Sequence, residues 1–240
     1  YQCVDLSVKE EVMQLSFHTD LVFMMAGVTG TSAGFSQYPV MVLSNEMALL
    51  HVLHAMTEQQ SKARLVFPST RLVYQGQKGI LLSEDVPKET KTVYAANKLA
   101  CEGYLAAWAN AFDLKYTVYR ICVPYGHLLP GQYSFGTLGF MRRQAREQAK
   151  ITLYGDGSMG RTFTHVKDIC RIITDASMLP ESNGRIFNIG SYDHMTLKQL
   201  ATMVCGQTGA ELAFLPWPAL DERIESGDTM FSDQALQAIL

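Results

Sequence analysis

The sequence predicts an α/β fold built on a mainly parallel sheet, and three observations carry that prediction. Short apolar runs rich in β-branched and aromatic residues alternate along the chain with longer stretches of helical pattern, the order expected when helices cover a parallel sheet. The chain has 240 residues, 48% of them hydrophobic, which is ample for a sizeable core. The residues that can carry chemistry follow the apolar runs directly, where open parallel sheets bind their ligands.

In chain order, strands are expected at 2–5, 20–26, 64–68 and 115–121, with helices at 8–17, 39–60 and 92–112 between them. Arg64-Leu-Val-Phe-Pro-Ser-Thr70 is an apolar strand ending in two hydroxyls, and Asp20-Leu-Val-Phe-Met-Met-Ala-Gly27 ends in small residues that let a flat ligand approach the backbone. After Pro124 the texture changes. Pro124, Gly126, Pro130, Gly131, Gly136 and Gly139 mark a looped passage before a helix over 136–149. Strands at 151–154 and 185–189, helices at 167–178 and 196–207, and Pro216-Trp-Pro218 predict a smaller, less regular α+β lobe.

Composition narrows the function. A net charge of −3 with mixed signs gives no electrostatic case for nucleic acid or an anionic membrane. The one basic cluster, Arg142, Arg143, Arg146 and Lys150, reads as a solvated helix face, or else as the lining of an anionic-ligand cleft. Five scattered cysteines without a C-x-x-C pair or a zinc-like histidine spacing read as reduced thiols, and no metal site is expected. No continuous apolar run reaches membrane-spanning length and no signal peptide is recognisable, so the expectation is cytoplasmic. The opening on Tyr1 without methionine reads as a piece of a longer protein.

Tyr94-Ala-Ala-Asn-Lys98 is the most informative motif. On a helix, residues i and i+4 share a face, so the lysine ammonium lies near the phenol and favours its phenolate form. The pair is barely rarer than chance, and Tyr74 to Lys78 repeats it. Gly76 and Gly79 place that second pair in a turn, whereas Tyr94 and Lys98 head a good helix-forming run with Thr92 as its N-cap. Two glycine patterns mislead. Gly155-Asp-Gly157-Ser-Met-Gly160 has G-x-G-x-x-G spacing but is followed by a strand-like alternation, and Gly27 to Gly34 meets its helix only near Pro39. Neither opens a helix onto a pyrophosphate.

Taken together, Ser69-Thr70, Val73-Tyr74 and Tyr94-x-x-x-Lys98 resemble the extended short-chain dehydrogenases/reductases, the NAD-dependent epimerase/dehydratase group acting on nucleotide sugars. The resemblance covers nearly the whole chain. It implies a Rossmann-like parallel sheet with helices on both faces, N-terminally incomplete, over 1–122. It also implies a substrate lobe over 123–240, from which about 162–190 return to the first domain. Asp5 and Leu6 resemble the pair that contacts the adenine, and Ala26, Gly27 and Val28 the small-residue turn over the middle of the cofactor. Asn45 matches the asparagine supporting the site on the cofactor side. Arg120-Ile121-Cys-Val123-Pro-Tyr-Gly126 resembles the passage beside nicotinamide and substrate, Ile121 on the cofactor and Val123 on the substrate. Arg161, after Gly155-Asp-Gly157, resembles the arginine for the substrate diphosphate, and Arg223 a further phosphate-binding arginine.

The resemblance implies that Tyr94 is the base, that Thr70 holds the same sugar hydroxyl, and that Lys98 lowers the tyrosine pKa and holds the nicotinamide ribose. Arg71-Leu72 stand where the family's dehydratases carry an Asp-Glu pair, which favours epimerase or reductase over dehydratase. Val123 replaces an asparagine. The glycine-rich loop, its helix and the second strand that separates NAD from NADP have no counterpart before Asp5, so the expected cofactor is NAD with NADP open, and cofactor binding by this chain is expected to be impaired. A catalytically silent nucleotide-sugar binding or structural module is the alternative. A homodimer through 39–60 and 92–112, with Met41, Met47, Leu50, Leu105 and Trp108 as apolar contacts, is also implied.

Overall fold

The computed structural model describes residues 1–127, 136–190 and 193–240; Pro130 and Gly131 of the predicted looped passage lie outside them. Its centre is a parallel sheet with the strand order Leu21–Phe23, Arg64–Thr70, Lys115–Ile121, Arg185–Ile189. The two middle strands are apolar on both faces, the pattern of strands covered from both sides. Leu65, Phe67 and Val118 face one core with Val12, Leu49, Val52, Leu53, Met56, Cys101 and Leu105. Val66 and Tyr119, one residue out of phase, face the other with Ile169, Ile173, Ala176, Phe187 and Ile189.

Register then sets the site. Thr70 lies opposite Ile121, so the hydroxyl-bearing end of one strand and the start of the Arg120–Gly126 passage reach the same level. The helix Val93–Phe112 begins where its sequence says it should: Thr92 Oγ1 accepts from the Ala95 amide at 3.1 Å. Its end is set by Asp113 in the left-handed region, φ 54°.

Beyond residue 122 smaller sheets build a second lobe. Lys150–Tyr154 pairs in parallel with Glu211–Leu215, and Val123–Tyr125 with Gly160–His165, which also pairs antiparallel with His194–Thr196. A separate core of Val73, Tyr74, Leu82, Ile151, Leu153, Phe163, Leu200, Val204 and Phe231 fills it. The strand Arg185–Ile189 leaves this lobe and completes the first sheet. Gly155 and Gly157 sit at φ 64° and 69° in the turn between two strands, so the G-x-G-x-x-G spacing is a turn signal.

Several expectations are corrected. Residues 2–5 form no strand: the Asp5 carboxylate accepts from the Ser7 amide and hydroxyl, closing a local turn, and among the described residues Leu21–Phe23 pairs only with the Arg64–Thr70 strand. The helix expected at 8–17 shrinks to Lys9–Val12. The backbone of residues 15–17 bonds instead to a distant helix end, Gln59 bridging the Leu15 carbonyl and Phe17 amide and Ser61 Oγ donating to the Phe17 carbonyl. The helical stretch Tyr38–Glu58, 21 residues, is long and apolar enough to cross a membrane by length and composition alone. An uninterrupted apolar run is absent there because Ser44, Asn45, Glu46, His51 and His54 break it; the buried residues of its Ala48–Glu58 part face the first core. Within it, Val42–Met47 winds as a π-helix, which nothing in the sequence announces. Of the five cysteines, Cys101 and Cys122 are buried, and all five are free thiols.

Candidate active site

The carboxyl ends of the first three sheet strands open into a cavity of about 320 Å³, lined by the Met25–Thr29 turn, Pro68, Ser69, Thr70, Tyr94, Lys98, Ile121, Cys122 and Pro124. Seven of the residues singled out from the sequence thus come together: Ala26, Gly27, Val28, Thr70, Tyr94, Lys98 and Ile121. Asn45 stands behind them. Its side-chain amide donates to the Val28 carbonyl at 3.0 Å while its oxygen accepts from the Val28 amide at 2.8 Å, pinning the small-residue turn. A Cβ on Gly27 would lie 2.8 Å from that oxygen, so the turn tolerates only glycine there.

Lys98 is buried at 5% exposure. Its ammonium donates to the Pro68 carbonyl at 2.8 Å and stands 4.3 Å from the Phe67 ring centre, against 5.9 Å from the Tyr94 ring. Burial pushes its pKa down to about 8 and pushes the Tyr94 phenol up to about 12. In this geometry burial outweighs the lowering of the tyrosine pKa expected from the lysine. Desolvation of the phenol dominates, and the nearest polar partner of the ammonium is a carbonyl. Thr70 Oγ1 accepts from the Leu72 amide at 3.3 Å and caps the short 3₁₀ turn Arg71–Val73.

Beneath these residues lies a buried polar network that sequence reading missed. Glu102 follows Lys98 by one helical turn and takes Arg120 in a two-pronged ion pair, 3.0 Å from Nε and 2.6 Å from Nη2, while Ser69 Oγ donates to it at 2.6 Å. Arg120 also donates to the Tyr74 hydroxyl at 2.7 Å, which in turn donates to Asn188 at 2.7 Å. The signal was available: Tyr94, Lys98 and Glu102 continue one i, i+4 row. The decoy tyrosine, Tyr74, proves to be a core residue of this network, fully buried.

Other singled-out residues stand elsewhere. Asp5 is exposed, and Leu6 packs at the edge of the first core with its carbonyl 3.1 Å from His51 Nδ1. Val123 packs in the second-lobe core and does not line the cavity, whereas its neighbours Cys122 and Pro124 do. Arg161 is 2% exposed and paired with Glu225 at 2.7 Å; Arg223 is exposed on the helix Ala219–Ile224. Burial, then the nearby charge of Arg71, pulls the Arg161 pKa down to about 10. Of the basic cluster, Arg142 lines a separate cavity of about 280 Å³ with Leu138, Phe163, Met195, Leu200 and Met203.

Comparison with known proteins gives the class. A family model described as the NAD dependent epimerase/dehydratase family matches residues 2–190, and the chain belongs to that family. Over 186 residues it is 25% identical to an uncharacterized UDP-glucose epimerase of Bacillus subtilis, a match covering 77% of this chain and 57% of that protein. It is 26% identical to a dTDP-L-rhamnose 4-epimerase of Burkholderia thailandensis, covering 88% and 66%. The chain thus spans less than two thirds of the length of these curated relatives. Its fold is similar to that of a UDP-glucose 4-epimerase of Thermus thermophilus solved in complex with NAD, with a TM-score of 0.84 at 23% identity, over 98% of this chain and 75% of that one.

Proposed function

We propose that this chain carries the proton-transfer and substrate-holding part of an NAD-dependent nucleotide-sugar epimerase. The observation that carries the reading is the convergence of Thr70, Tyr94 and Lys98 on one cavity whose wall is the pinned Ala26–Val28 turn. NAD, when bound, supplies the hydride acceptor. The turn fits the nicotinamide end of such a group: it is small, backbone-rich and held by Asn45. Among the described residues, however, no glycine-rich turn opens a helix to receive a pyrophosphate.

Tyr94 takes the proton of the sugar hydroxyl as the carbon-bound hydrogen leaves with its electron pair, and gives it back when hydrogen returns to the opposite face. Thr70 steadies the same oxygen. For Tyr94 to act as base its pKa must fall from about 12 towards neutrality, each unit being about 1.4 kcal/mol. Lys98 is the cation one helical turn away that can supply part of this. Arg71 and Leu72 offer no carboxylate at the position after Thr70, so water elimination lacks its acid and base, and epimerase or reductase chemistry is favoured over dehydration. A homodimer through the two long helices belongs to the same proposal.

Tyr94→Phe tests it. In protein turning over UDP- or dTDP-sugars with NAD, the substitution should lower kcat by roughly 10² to 10⁴ and leave sugar-nucleotide affinity within about twofold. Unchanged turnover would overturn the assignment.

A further inference from the structure

Arg161, the residue that sequence resemblance assigns to the substrate's diphosphate, already holds an anion. Glu225 Oε1 lies 2.7 Å from its Nη2. Its Nη1 donates to the carbonyls of Gly227 at 2.6 Å and Gly160 at 2.9 Å, and Nη2 also reaches Met159 Sδ at 3.7 Å. Four of the five guanidinium N–H groups are thereby engaged. No diphosphate oxygen can pair with the outer nitrogens without displacing one of these partners. The backbone carbonyls are fixed in the strand and the loop, whereas the Glu225 side chain keeps 22% of its surface in solvent.

The loop bearing Glu225 is held at several points: Lys91 Nζ donates to the Glu225 carbonyl at 2.9 Å, and the Asp228 carboxylate accepts from the Gly160 amide at 3.0 Å and the Gly79 amide at 3.2 Å. The Ser226 carbonyl accepts from the Gly76 amide at 2.9 Å and the Asp228 carbonyl from Gln77 at 3.1 Å; Gly227 turns at φ 78°. Arg71, the residue after Thr70, donates to Ser226 Oγ at 3.0 Å and has no ion pair among the described residues. Cys122, on the wall of the catalytic cavity, donates to the Thr229 carbonyl at 3.0 Å. The loop therefore backs directly onto that wall, with Arg161 paired to the Glu225 carboxylate and Arg71 bonded to the Ser226 hydroxyl.

We infer that Glu225 occupies the position of the substrate's diphosphate on Arg161, and that a nucleoside diphosphate enters by exchanging with this carboxylate and moving the 225–229 loop off residues 76–77. The inference rests on the nucleotide-sugar reading above and adds a gate to it. A diphosphate brings more charge and more acceptor oxygens than one carboxylate, so it can take over both Arg161 and the unpaired Arg71. In the absence of nucleotide, Glu225 keeps the buried guanidinium neutralised.

The test is calorimetric titration of wild type, Glu225→Gln and the double variant Glu225→Gln/Arg161→Gln with UDP and with dTDP. Glu225→Gln should bind one of them about tenfold more tightly than wild type, and the double variant should lose that gain. Equal or weaker affinity in Glu225→Gln overturns the exchange while leaving the nucleotide reading standing; binding to none of the proteins overturns both. Wild type gives a readout independent of the variants' folding: adding the nucleotide should speed hydrogen exchange at the Gly76 and Gln77 amides as the loop departs. Slower exchange there contradicts the gate.

Discussion

At the scale of single residues, the site turns on how burial divides the charges of Tyr94 and Lys98. Lys98 has a folded pKa of about 8 against an ordinary value of 10.5. Below about pH 8 the ammonium is charged in both folded and unfolded chains, and its buried charge is a constant cost. Between about 8 and 10.5 the folded protein gives up this proton before the unfolded chain does, so the unfolded state binds more protons and stability rises with pH. Tyr94, raised from 10.0 to about 12, acts in the opposite direction, but only above pH 10. The unfolding free energy of wild type minus that of Lys98→Met should therefore be flat from pH 6 to 7 and climb between 8 and 10 in urea titrations. A flat difference across that upper window would show that the ammonium is not held as described. What the sequence could supply here was the pairing, because i, i+4 spacing is a property of the helix. The direction of the pKa shifts was not legible: it depends on the Pro68 carbonyl and the depth of burial, which no spacing encodes.

At the scale of elements, the turn 25–28 and the helix Tyr38–Glu58 form one device. The π-helical Val42–Met47 segment carries Asn45, and π turns of this kind recur at functional sites. The same segment is tied to the helix Val93–Phe112 by Glu46, which accepts from Asn97 and, at 2.9 Å, from the Tyr104 hydroxyl. Asn45→Ala removes both partners of the Val28 backbone. The expected cost is on the order of 1 to 2 kcal/mol, two hydrogen bonds lost at half-buried backbone groups that water can then reach, together with faster hydrogen exchange at the Val28 amide. Retained protection there would mean that the turn is held by something else. Legibility differs sharply among elements. The helix behind Thr92 and the strands at Arg64–Thr70 and Lys115–Ile121 were readable because cap, periodicity and double-sided burial agree. The failures at 2–5 and 8–17 have one cause: their backbone groups find side-chain or long-range partners, Asp5 in one case and Gln59 and Ser61 in the other, that outcompete the local pattern. Glu225 was unreadable for the same reason, since its partner lies 64 residues away.

At the scale of the whole molecule, the proposed homodimer must use surfaces that the chain's own core leaves open. Met41 and Leu105, taken from the sequence as dimer contacts, are fully buried within the chain and cannot serve. The outward side of Val93–Phe112 is instead made of small residues, with Ala96, Gly103 and Ala107 exposed, and Leu43 is exposed at 48% on the neighbouring helix. Helix axes approach closely where facing side chains are small, so this face suits a tight helix pairing between two copies. Gly103 offers a clean separation of fold from assembly. A Cβ there meets nothing within 4 Å, so the monomer has room for a side chain, and replacing a mid-helix glycine stabilises an isolated helix by up to about 1 kcal/mol. Gly103→Glu should therefore leave the thermal midpoint of the monomer unchanged or slightly higher while placing two like charges in the paired face. Light scattering at micromolar concentration should read a dimer for the native chain and a monomer for the variant. A monomeric mass for the native chain would remove the dimer from the proposal, and a dimer that survives Gly103→Glu would move the interface to another face.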